Sequence, residues 1–266
     1  MLLRFGSRFT ELERLNPAAK LKGPNPLLPS LARAVRGLSA LFWGLPLALL
    51  TCVKTAMGDT WRAFGSWGAP WWRYQGWPGL ILDTFQACLP ALGALGLMLY
   101  GLRSLGRFQP QERIWRQALD RACVMNALLL ALVPMAHWWS IRPEEPFFLQ
   151  SLGLFVYAGI GFMLGLNRVL LRLAAMLPDE VVRSDTRLFT RVNAGLILML
   201  GVLVTAHVLV IAMPRSVPLV GQVLLGELSE LRQWLFVMLA LVPLALTMTL
   251  LWKAKEAITA SVFRPG

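Results

Sequence analysis

The residues in this sequence that could do chemistry are few, and they stand inside or beside long apolar runs. The only two histidines are His137 and His207. From the helical rise, His137 lies about 22 Å and His207 about 20 Å from the basic edge of its apolar run. Two neutral imidazoles at one depth on neighbouring helices are the minimum set for axial ligation of a haem b. Asp83 enters another run roughly 5 Å below its edge, with Gln86 almost one turn deeper. Ionisable groups at membrane depth are functional candidates, because burying them is costly unless they are paired. The same residues also suit interfacial positions, where they would meet water or lipid headgroups.

Beside them runs the segment TWRAFGSWGAPWWRYQGWPG, residues 60–79. Tryptophan favours the membrane interface because its ring is apolar and its N–H is polar, and a belt of this kind accounts for Trp138, Trp139 and Trp234. Residues 60–79 are richer in tryptophan than a belt requires. They fit a lid for a lipid, a quinone or another amphiphile, or a docking face for a partner. On this reading Trp71, Trp72 and Trp77 form a candidate ligand pocket with Asp83 and Gln86. Cys52, Cys88 and Cys123 fall in separate apolar runs with no CxxC spacing, so they read as packing residues and supply neither a metal site nor a disulfide. The sequence carries no nucleophile elbow, phosphate loop, HExxH or pair of carboxylates within an apolar run. A non-enzymatic role is therefore expected.

The elements that must position these residues follow from composition. Of 266 residues, 56% are apolar and 15% charged, whereas soluble domains carry about a quarter charged residues. Crossing the hydrocarbon takes about 20 apolar residues in a helix. Six stretches meet that length: Leu38–Met57, Leu80–Leu102, Ala122–Trp139, Phe147–Leu166, Ala194–Met213 and Trp234–Trp252. The run Val217–Leu225 is about half as long as a span needs and is broken by Pro218 and Gly221, which predicts an interfacial or re-entrant segment. Pro46, Pro90, Pro134 and Pro243 interrupt spans, and Gly161, Gly165, Gly93 and Gly96 are expected at close helix contacts.

The net charge of +12 is distributed as an orienting device. Seven Lys or Arg precede the first span, five each lie in the second and fourth connectors, and three follow the last span, so 20 of the 26 are on one side. Positive residues are retained in the cytoplasm, which places both termini there. Because the charge flanks membrane runs and no RNA-binding signature is present, nucleic acid is not an expected partner. The segment Met1–Leu15 repeats Leu2, Phe5, Phe9 and Leu12 at helical spacing, predicting an amphipathic helix on the inner surface. Pro17, Pro24, Pro26 and Pro29 then form a stiff link, with Ser30 placed to cap the first membrane helix.

The sequence also carries a candidate duplication. GLMLYGLRSL at 96–105 lies over GFMLGLNRVL at 161–170, and Asn126-Ala127 answers Asn193-Ala194. Spans two and three would then form one hairpin, with spans four and five a tandem copy. The expected organisation is all-α: residues 1–30 as the amphipathic helix and link, 31–253 as a six-span membrane domain, and 254–266 as a short tail. In span number, inward termini, amphipathic amino-terminal helix and apolar outer segment before the last span, this organisation resembles the exporter permeases of the ABC type. The resemblance is one of architecture, carried by no motif. It would set the fourth connector, LLRLAAMLPDEVVRSDTRLFTRV, against a cytoplasmic partner; the residues alone also allow a helix resting on anionic lipid.

The functional expectation is a structural or accessory subunit of a membrane assembly, in a plasma membrane and most naturally a bacterial inner membrane, with lipids and other protein subunits as partners. The alternatives are a permease subunit exporting a lipid or amphiphile, and a haem- or quinone-binding anchor.

Overall fold

The computed structural model describes residues 27–57, 77–108, 112–176, 180–212 and 229–263, and the described residues form six helices joined without a strand. They are α1 (Leu27–Met57), α2 (Trp77–Gly106), α3 (Arg113–Ile141), α4 (Pro146–Met176), α5 (Glu180–Ala212) and α6 (Ser229–Phe263). All six are long and apolar enough to cross a membrane. The segments Met1–Leu15 and Val217–Leu225 lie outside the described residues. Because α1 already begins at Leu27, Ser30 stands inside its first turn instead of capping it. Pro29 is tolerated there, where an amide would have no intrahelical partner anyway.

Leu- and Ala-rich runs sustain these helices through Pro46, Pro90, Pro134 and Pro243, each of which lies inside a continuous helix. Pro146 occupies the first position of α4, where its fixed φ and missing N–H suit a helix start. The turn before it is tight: the amide of Arg142 donates to the Trp138 carbonyl, and that of Phe148 to the Glu145 carbonyl.

Each helix packs on its neighbours in sequence, and α6 closes the ring against α1. Two further contacts, α1 with α3 and α4 with α6, divide the ring into two three-helix groups. The groups meet at α3–α4 and at α1–α6. At the α1–α2 seam the backbones touch: a Cβ on Gly37 would stand 2.8 Å from the Gly101 carbonyl oxygen, and one on Gly101 would stand 2.9 Å from the Gly37 carbonyl oxygen. Between α3 and α4, Gly165 lies over Ala122 and Gly161 over Met125, as the GxxxG spacing predicts. Gly93 and Gly96 differ from expectation, since no described atom lies within 4 Å of a Cβ built at either.

At the ends away from the basic connectors, the helices stop within a few residues of the apolar edges. At the basic ends they run on: α1 begins at Leu27 instead of Leu38, α3 at Arg113 instead of Ala122 and α5 at Glu180 instead of Ala194, while α4 ends at Met176 and α6 at Phe263. The excess is roughly ten residues, or about 15 Å. These turns are not loose extensions. Ala34, Leu105, Trp115, Leu173, Ala174 and Ile258 are buried there and continue the core past the apolar edge.

Candidate functional site

Side chains facing the interior must be apolar or hydrogen-bonded, because hydrocarbon offers no water. On the basic half of the bundle this rule produces a set of polar ties. Ser104 Oγ of α2 donates to the Arg33 carbonyl of α1 at 3.0 Å. Asn126 Nδ2 of α3 donates to the Leu95 carbonyl of α2 at 2.9 Å. Asn193 of α5 uses both amide hydrogens, one to Asn167 Oδ1 of α4 at 2.8 Å and one to Thr247 Oγ1 of α6 at 2.9 Å. Thr247 in turn donates to the Pro243 carbonyl at 2.7 Å. Asn126, Asn167, Asn193 and Thr247 are all buried. The Oδ1 of Asn193 and the Nδ2 of Asn167 are buried with no hydrogen-bond partner among the described residues, leaving an acceptor and a donor inside the bundle.

Nearer the basic ends of α5 and α6, Lys253 Nζ meets Asp185 Oδ2 at 2.8 Å and stands 5.3 Å from the centre of the Phe189 ring. Both partners of the pair are more than a third exposed. Solvent screening keeps the contribution of such a pair small.

The opposite half is packed unevenly. In α1, α2 and α3, buried side chains continue outward through Ala48 and Thr55, Cys88, and Val133, Ala136 and His137. In the second three-helix group burial ends earlier. No side chain is buried over 146–157 of α4, 198–208 of α5 or 235–238 of α6. This uncovered stretch is not purely apolar. Tyr157, 40% exposed, shares a hydrogen bond with Thr205 across α4 and α5 at 2.8 Å. The His207 ring packs edge-on against Phe236 of α6 with centroids 5.8 Å apart.

His137 sits on α3 and is 8% exposed. No described residue of α3 comes within 8 Å, Cα to Cα, of α5, the helix that carries His207, although α4 touches both. The two histidines thus belong to different three-helix groups. Gln86 is exposed on α2. Trp71 and Trp72 lie outside the described residues, as do the side chains of Trp77 and Asp83, whose backbones begin α2. Among the described residues no three His, Cys, Asp or Glu side chains cluster as metal ligands. Cys52, Cys88 and Cys123 are free thiols on three different helices. Trp138 is 36% exposed, and its indole N–H donates to Thr84 Oγ1 at 3.2 Å.

Sequence reading noticed Asn126 and Asn193 only as matching positions, and passed over Ser104, Asn167 and Thr247. A signal was available, since uncharged polar residues within apolar runs recurrently bond across helices. Comparison with family models, with curated proteins and with solved structures found no match.

Proposed function

We propose that this chain is a non-enzymatic, multi-pass subunit of a membrane assembly, structural or accessory in role, with both termini in the cytoplasm of a bacterial cell. The observation that supports the reading is the uncovered outer half of α4, α5 and α6, which exposes the Tyr157–Thr205 pair. Polar groups on a lipid-facing surface are better matched by another helix than by hydrocarbon. Gly153 and Gly159 of α4 have no described atom within 4 Å of a built Cβ, so a neighbouring helix could approach closely there. Purification in mild detergent tests the proposal. Another membrane protein should co-purify in fixed ratio, and Tyr157→Leu combined with Thr205→Leu should reduce its recovery. A chain that is recovered alone, whatever the detergent, overturns the reading.

The same uncovered surface also favours a second reading, a permease subunit for a lipid or amphiphile, because its exposed Tyr157 and Thr205 hydroxyls stand among exposed apolar side chains, a mixture that suits an amphiphile. A co-purified ATPase would support it, as would movement of a fluorescent lipid across vesicles containing the chain.

A further inference from the structure

Cross-helix contacts fix how far each helix is slid against the next. Ser104 meets the Arg33 carbonyl, Asn126 the Leu95 carbonyl, Gly165 lies over Ala122, and Asn193 meets Asn167. In antiparallel neighbours, a step along one helix is matched by a step back along the other. Carried round the ring, these contacts place Arg36, Arg103, Arg121, Arg168 and Arg191 at one depth to within about 5 Å. Arg33, Arg107, Arg116, Arg172 and Arg187 form a second tier about one turn, or 6 Å, nearer the basic ends. All ten are exposed, and among the described residues none has an ion pair or a side-chain hydrogen bond. Asp185, the acid nearest in sequence to Arg187 and Arg191, is engaged by Lys253, while Asp120, exposed beside Arg121, makes no ion pair among the described residues.

We propose that these two tiers form a binding collar for anionic phospholipid headgroups of the leaflet facing the basic connectors. The first tier follows the apolar edges of its helices, and the separation of about 6 Å between the tiers matches the layer of roughly 5 to 8 Å that headgroups occupy on one side of a bilayer. Buried Ala34, Leu105, Trp115 and Leu173 fill the inside of the collar, so the exposed guanidinium groups lie around its outside. A soluble acidic protein would cover one side of such a collar, whereas a lipid plane meets all five helices at one height. On four of the helices the arginines stand three or four apart, on one face: Arg33 with Arg36, Arg103 with Arg107, Arg168 with Arg172, and Arg187 with Arg191. Like charges at this spacing repel. A phosphate between them converts the repulsion into two charge-assisted hydrogen bonds, for which the guanidinium fork is well shaped. The collar stands independently of the subunit reading, since it needs no protein partner.

The test uses the full chain, purified in a nonionic detergent and titrated with phosphatidylglycerol or phosphatidylcholine while its thermal unfolding is followed. Phosphatidylglycerol should raise the midpoint by several degrees and phosphatidylcholine should leave it nearly unchanged, and the difference should shrink as salt is added. Changing Arg168, Arg172, Arg187 and Arg191 together to Gln should remove much of the difference, while the same four changed to Lys should keep most of it. Equal responses to the two lipids overturn the proposal, as does a Gln variant with undiminished preference. Tight binding of polyglutamate by a chain indifferent to phosphatidylglycerol would assign the collar to an acidic protein instead. If the Gln variant does not fold, the comparison of the two lipids on the unaltered chain decides alone.

Discussion

Asn193 donates both amide hydrogens across helix boundaries and so ties three helices together, α4, α5 and α6. Interhelical hydrogen bonds inside a membrane average about 0.6 kcal/mol and reach about 1.7. Asn193→Ala, which removes two and opens a small void, should therefore cost about 1 to 2 kcal/mol in a detergent unfolding titration. Thr247→Val keeps the shape and loses one tie to Asn193, so about 0.5 kcal/mol is expected. A variant of Asn193 as stable as the unaltered chain would show that the tie is not holding the group. Lys253→Ala should change stability by less than about 1 kcal/mol, because its pair with Asp185 faces solvent. These roles were only half legible in the sequence. Residue type marks Asn126, Asn167 and Asn193 as groups needing partners, but whether a polar side chain meets another helix or lipid depends on azimuth. Azimuth is set by packing of the whole ring. The depths inferred for His137 and His207 carried the same gap, and their helices prove to lie in different three-helix groups.

Among the elements, the seam between α1 and α2 is the one most sensitive to volume, since the Gly37 and Gly101 backbones leave no room for a methyl group. Gly101→Ala should push the helices apart and destabilise by about 1 to 3 kcal/mol. The matched change Gly93→Ala, with no described atom within 4 Å, should be neutral or stabilise by up to about 1 kcal/mol through helix propensity. Equal effects at the two positions in the same unfolding assay would contradict the close approach. The sequence directed attention to Gly161, Gly165, Gly93 and Gly96 because they are close in number. Gly37 and Gly101 are 64 positions apart and become partners only when two helices pair. The span ends away from the basic connectors were legible because hydropathy and helix stop together there. The basic ends were not, because a hydropathy reading stops at the first arginines, whereas a helix persists wherever one face still has a core to pack on.

For the whole molecule, the charge distribution predicts the direction in which the bundle lies in its membrane. With Cys52, Cys88 and Cys123 replaced, single cysteines at Ser66 and Glu144 should react with an impermeant thiol reagent in intact cells, and one at Gln111 should react only after lysis. Labelling at 111 in unlysed cells would reverse the orientation and move the arginine collar to the other leaflet. The proposed tandem of hairpins is open to a similar direct check: residues 80–139 should superpose on 147–213 without reversing membrane direction. Unrelated crossing angles in the two hairpins would make the sequence match a coincidence of leucine-rich runs.

The closed ring has a consequence for how the protein is made. Five of its six perimeter contacts join helices that follow one another in the chain, and only α1 with α6 joins its two ends. Each of the first five helices can therefore dock on its predecessor as it leaves the ribosome, with little chain entropy to overcome. Closure must wait for α6. Until then the basic half of α5 holds Asn193 and Asp185 without Thr247 and Lys253, the partners that α6 brings. A nascent chain stalled before Ser229 should accordingly be a five-helix arc with an open flank, the form in which quality-control proteases would find it most vulnerable.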